Sequence, residues 1–135
     1  MKEVRILTID NRGRIVIPMM VRRSLGLKDN SQLMLVADSE LKEIKITPIG
    51  IEGEGEFFKY RITMKDEAGA LAKIATTFGN YGISLVHGES VILEKGKTAL
   101  WSVIAEKPEK YSFDEITEIL KSEGNALDVK IFPLD

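Results

Sequence analysis

Residues 1–50 hold four short apolar runs, one stub of helix and no cysteine, too little chain to bury a stable core alone. Val4–Ile9 and Arg14–Ile17 are β-branched runs that read as strands. Between them Asp10-Asn11-Arg12-Gly13 makes a hairpin turn, because Asp and Asn fold onto their own backbone and Gly accepts φ > 0. Pro18 suits the first turn of a helix and Gly26 its end, with Val21 and Leu25 as the apolar face. Leu33–Val36 and Glu43–Thr47 are two more strands, separated by a turn at Asp38-Ser39-Glu40. With no disulfide to help, such a segment is expected to dimerise, its strands completing one shared core.

The formal charge of −2 over 135 residues, taken whole, argues against a nucleic-acid binder. It conceals a division. Residues 1–50 carry nine basic and six acidic side chains; residues 51–135 carry ten and fifteen. Opposite charge in the two halves points to different partners for each. The segment 49–56, IGIEGEGE, lies at the boundary, and its glycines and mutually repelling glutamates read as a short flexible linker. A domain over 1–48 and another over 57–135 are expected.

In the first domain Arg12 and Arg14 flank the hairpin turn, and Arg22 and Arg23 lie on the helix that follows. A twofold axis would double this set into a broad basic surface suited to phosphates. The plain alternatives are an edge charge at Arg14 and solvated helix charges at Arg22 and Arg23. The run Gly13-Arg14-Ile15-Val16-Ile17-Pro18, joined to Arg22-Arg23-Ser24-Leu25-Gly26-Leu27, resembles the AbrB/SpoVT family over residues 4–48. That resemblance implies an intertwined swapped-hairpin dimer, half a β-barrel per chain, binding double-stranded DNA. It places Arg14, Arg22 and Arg23 on the DNA-contacting arginines, with Asn11 and Arg12 in the turn beside them. The pattern departs at Leu7, where the type member carries a basic residue; Arg5 or Arg12 is available to replace it.

The second half alternates strands and helices. Phe58, Tyr60, Ile62 and Met64 alternate with polar residues, giving a strand with one buried face. Asp66 is placed to cap a helix whose Leu71, Ile74, Ala75, Phe78 and Tyr81 recur at helical spacing, and Gly82 stops it. Ile83–Leu93 and Thr98–Ala105 form a hairpin around Glu94-Lys95-Gly96-Lys97. Ser112 and Glu115 have capping-box spacing, and Leu127, Val129 and Ile131 alternate through a last strand. The order is βαββαβ, so the chain is α+β, with a ferredoxin-like second domain rather than a disordered tail.

The run MKDEAGALAKIATTFGNYGISLV is similar to the signature of ACT domains, the amino-acid-sensing regulatory module, with the resemblance covering about 57–132. Asp66, Gly69, Leu71, Ile74, Phe78, Gly82, Ile83 and Ser84 match; Ala68 stands for the usual proline and Ser84 for the commoner asparagine. The implied effector site comprises Asp66, Glu67, Ala68, Gly69, Ala70 and Leu71, with Ser84 and His87 on the next strand as pocket or interface. Physically, Gly69 permits close backbone approach, and N–H groups at a helix start favour a carboxylate. Two roles are open to Asp66, helix cap or partner of an ammonium.

No cysteine and one histidine exclude thiolate chemistry and make a metal centre within one chain improbable. No nucleophile–base pair, supported carboxylate pair or phosphate-binding glycine loop is present, so neither catalysis nor a cofactor is expected. No run reaches membrane-span length and no signal-peptide pattern opens the chain, so a cytoplasmic protein without membrane contact is expected. The whole reads as a ligand-responsive transcriptional regulator, a homodimer or dimer of dimers that binds DNA and an amino-acid effector. An antitoxin-like or scaffolding protein, its second domain only oligomerising, is the other reading.

Overall fold

Two units divide the chain, Met1–Glu54 and Gly55–Asp135, and the computed structural model describes residues 2–52 and 56–134. In the first unit the turn forms as expected. The Asp10 N–H donates to the Arg14 carbonyl and the Gly13 N–H to the Asp10 carbonyl, each at 3.0 Å, with Gly13 at φ 76°. The flanking runs Val4–Ile9 and Arg14–Ile17 do not form strands, contrary to the sequence reading. A strand needs a neighbouring backbone's N–H and C=O groups, and beyond the turn no backbone among the described residues pairs with them. Val4 and Ile6 are accordingly 82% and 98% exposed.

Helix α1 (Met19–Ser24) begins after Pro18, whose ψ of 148° places it outside the helix as N-cap rather than in the first turn. It ends in a Schellman pair: the Leu27 N–H reaches the Arg22 carbonyl and the Gly26 N–H that of Arg23, with Gly26 at φ 68°. Strands β1 (Ser31–Asp38) and β2 (Glu43–Glu52) pair antiparallel. Asp38 Oδ1 nucleates their turn by accepting from the Glu40 and Leu41 N–H groups. β2 runs beyond Thr47, and Glu52 lies opposite Ser31. Residues 49–52 are therefore strand rather than linker, because ladder partners on β1 outweigh the looseness of Gly50; residues 53–55 lie outside the described residues. Among residues 2–50 none is buried.

The second unit has its own core. β3 (Phe57–Lys65), α2 (Ala70–Asn80), β4 (Leu85–Glu94), β5 (Thr98–Glu106), α3 (Phe113–Ser122) and β6 (Asp128–Pro133) form an antiparallel sheet in the order β4-β5-β3-β6. On β5, Ala99, Trp101, Val103 and Ala105 are buried in strict alternation; on β3, Tyr60, Ile62 and Met64 are. Against them pack Ile74 and Phe78 of α2 and Ile116 and Leu120 of α3. Tyr60 and Phe78 meet edge to face at 5.2 Å. The capping box forms: Ser112 accepts from the Glu115 N–H, and Glu115 accepts from that of Ser112, both at 3.1 Å. Gly82, at φ 70°, ends α2 as expected. The helices cover one face of the sheet, and β4 is an edge strand. No helix among the described residues is long and apolar enough to cross a membrane.

Candidate functional site

The basic cluster of the first unit is organised by one carboxylate. Asp10 Oδ1 accepts from the backbone N–H groups of Arg12 and Arg14 at 2.9 Å, and Oδ2 accepts from Arg14 Nε at 2.8 Å. The two backbone donors, Arg14 then Arg12, and the guanidinium hold the Asp10 carboxyl below its ordinary range. The Arg14 head is thereby fixed against the turn. Arg22 Nη1 donates to the Ile17 carbonyl, bracing the segment that leads into α1. Arg5 pairs with Glu3 at 3.3 Å and touches the Met20 sulfur. The Arg12 and Arg23 guanidinium groups have no ion pair among the described residues, and both side chains are exposed, as is Asn11 at the tip of the turn. Of the six predicted contacts, three are held in place and three reach freely into solvent.

In the second unit Asp66 does not cap α2, which corrects one sequence expectation. It lies three residues before the N-cap, a position taken by Gly69 at φ 85°. Its Oδ2 accepts instead from the Gly96 N–H at 2.7 Å, and its own N–H donates to the Lys97 carbonyl at 3.1 Å. One carboxylate oxygen thus fastens the strand-to-helix turn to the β4–β5 hairpin, and the other has no hydrogen-bond partner among the described residues.

A groove of about 620 Å³ lies between this turn and the β4 edge, lined by Met64, Asp66, Leu71, Ser90, Ile92 and Ala99. Glu67 and Ala70 also border it. Ala68 and Gly69 line an adjoining cavity of about 480 Å³ on the side of α3, which shares Lys65, Glu67 and Ala70 with the groove. Ser84 and His87 line neither. Ser84 precedes β4 at the far end, where its carbonyl accepts from the Glu106 N–H. Eight residues at about 3.3 Å each put it roughly 25 Å along the strand from Ile92. His87 faces away from the helices, with Nε2 at 3.4 Å from Glu89 Oε1. Sequence reasoning missed Met64, Ser90, Ile92 and Ala99. The signal available was the sheet order, which brings the end of β4, not its beginning, beside the turn.

The chemistry on offer is recognition. The groove has an apolar floor of Met64 and Ala99, with the carboxylates of Asp66 and Glu67 and the lysine Lys65 at its border, and the first unit presents guanidinium groups around a rigid turn. No curated protein matches the chain. Residues 6–54 match the family described as antidote-toxin recognition MazE, bacterial antitoxin, and the first unit is accordingly a MazE/AbrB-type domain.

Proposed function

We propose that the chain is a DNA-binding regulator whose second unit, an ACT-like ferredoxin-like domain, senses a small amino-acid effector. The observation that carries the first half is that the arginine-bearing unit has no buried residue of its own among residues 2–50. Its extended runs 4–9 and 14–17 expose Val4, Ile6, Ile9 and Val16, a surface suited to completion by a second chain. Dimerisation doubles the exposed Arg12 and Arg23 and the braced Arg14 and Arg22 into one basic surface that meets DNA phosphates. The family match over residues 6–54 supports this reading.

For sensing, β4 is an exposed edge carrying Val91, Ile92 and Leu93, and such an edge favours pairing with another strand. Antiparallel pairing of two β4 strands about a twofold axis sets residue 84 of one chain beside the Ile92 end of the other. Ser84 then reaches the groove of the neighbouring chain, which reunites the residues that lie apart within one chain. The free oxygen of Asp66 accepts the effector's ammonium. Effector binding acts on DNA affinity only through a different affinity for two arrangements of the dimer. The chain works by binding, without catalysis or cofactor.

A salt-dependent titration of duplex DNA, repeated with each common amino acid, tests both halves. Loss of binding in Arg12→Ala/Arg23→Ala and a shift with one amino acid are expected. Absence of salt-sensitive binding refutes the regulator, and absence of any amino-acid effect refutes the sensor. The antitoxin reading is favoured by the family match alone. It predicts a stable complex with a toxin protein and indifference to amino acids.

A further inference from the structure

The cavity of about 480 Å³ opens where the start of α2, the end of α3 and the turn into β6 come together. Two lysines bring their side chains to it from facing helices, Lys73 on α2 and Lys121 in the last turn of α3, while Lys65, at the end of β3, borders it from the strand whose Met64 faces the helices. Glu67 is the one acid in the lining. None of the three lysines forms an ion pair among the described residues, whereas Lys97 and Lys107 of the same unit pair with Glu94 and Glu56. Asn125, at φ 60°, adds to the wall a side-chain amide that no described residue engages.

The ammonium groups of Lys73 and Lys121 at one concavity repel each other, and with Lys65 at its border the single carboxylate of Glu67 leaves an excess of positive charge. A concave surface with charge of one sign concentrates its counter-ion. We propose that this cavity is a binding site for a small polyanion carrying two or more negative charges, of the phosphate-ester or polycarboxylate class. A zwitterionic amino acid brings no net charge to balance the lysines, so this site, although it shares Lys65, Glu67 and Ala70 with the effector groove, differs from it by Lys73, Lys121 and Asn125 and does not depend on it. Its occupant bridges α2 to α3 through Lys73 and Lys121.

Calorimetric titration of the full chain with inorganic pyrophosphate and, separately, with citrate, against sodium chloride of matched ionic strength, tests the site. Saturable binding in the millimolar range or tighter is expected. Lys73→Gln and Lys121→Gln should each weaken it about tenfold, the scale of one charge-assisted hydrogen bond. Glu67→Gln should tighten it. Lys59→Gln/Lys130→Gln, on the sheet face away from the helices, should leave it unchanged. Because these side chains are exposed, the variants keep their core, and far-ultraviolet circular dichroism verifies that. Amide chemical shifts at Gly69, Asn125 and Ala126 should move with saturation. Preference for pyrophosphate over citrate identifies a phosphate site, and the reverse a polycarboxylate site. Heat no greater than with chloride overturns the proposal, as does equal loss in the Lys59/Lys130 variant.

Discussion

Asp66 and Gly96 are thirty positions apart, yet the carboxylate of one accepts the backbone N–H of the other at 2.7 Å. The contact ties the turn that borders the groove to the hairpin of the edge strand. Asp66→Ala should therefore loosen both together. A loss of about 1 kcal/mol in urea unfolding is expected, the usual net worth of one hydrogen bond. Amide exchange should quicken at Gly96 as well as around residue 66, and exchange confined to one of the two segments would count against the coupling.

Tyr60 is fully buried, and among the described residues its hydroxyl has no hydrogen-bond partner. Tyr60→Phe removes an unsatisfied polar atom and keeps the edge-to-face contact with Phe78, so unfolding should become harder by about 1 kcal/mol.

Burial also pushes the Tyr60 hydroxyl up to about 12. Since the folded state holds this proton more tightly than the unfolded chain, stability is full below about pH 10 and falls as pH rises toward 12. The expected loss is about 2–3 kcal/mol over that interval. Tyr60→Phe should abolish most of it, which unfolding curves at pH 9 and 11.5 would reveal.

Asp10 offers a case where charge and geometry predict opposite outcomes. Removing a negative charge from the arginine cluster should strengthen DNA binding if only net charge matters. The carboxylate, however, holds the turn and the Arg14 head. Asp10→Ala should quicken amide exchange at Gly13 and Arg14 and weaken DNA binding despite the gain in charge. The same logic makes the turn acid-sensitive. Its carboxyl is held low, so the order it confers is full above about pH 4 and lost as pH falls below that.

Gly124 lies where α3 hands over to the last strand. A Cβ there would stand 2.7 Å from the Leu120 carbonyl and 3.2 Å from Thr77 Oγ1. Gly124→Ala should destabilise by about 1–3 kcal/mol, the usual effect of overpacking, measured by denaturant midpoint.

What could be read from sequence was what neighbours in sequence decide. Ser112 finds Glu115 three residues on, Gly82 stops α2, and the alternation of β5 survives intact as buried Ala99, Trp101, Val103 and Ala105. What escaped was decided by distant residues. Asp66 looked like a cap because capping is local, but Gly96 claims it. The IGIE stretch looked loose by composition, but β1 pairs with it. Ser84 shared a motif with residue 66 and His87 followed it on the same strand, yet an extended strand carries its two ends far apart. Runs 4–9 and 14–17 have the composition of strands and lack the partner that a strand requires.

That last feature sets a threshold. A unit with no buried residue among residues 2–50 draws its folding energy from association, so the folded fraction follows mass action. At low abundance the second unit, with its own core, is folded while the arginine surface is not assembled. On the proposed reading the chain answers to its own copy number before it answers to any small molecule, and dilution alone should release it from DNA.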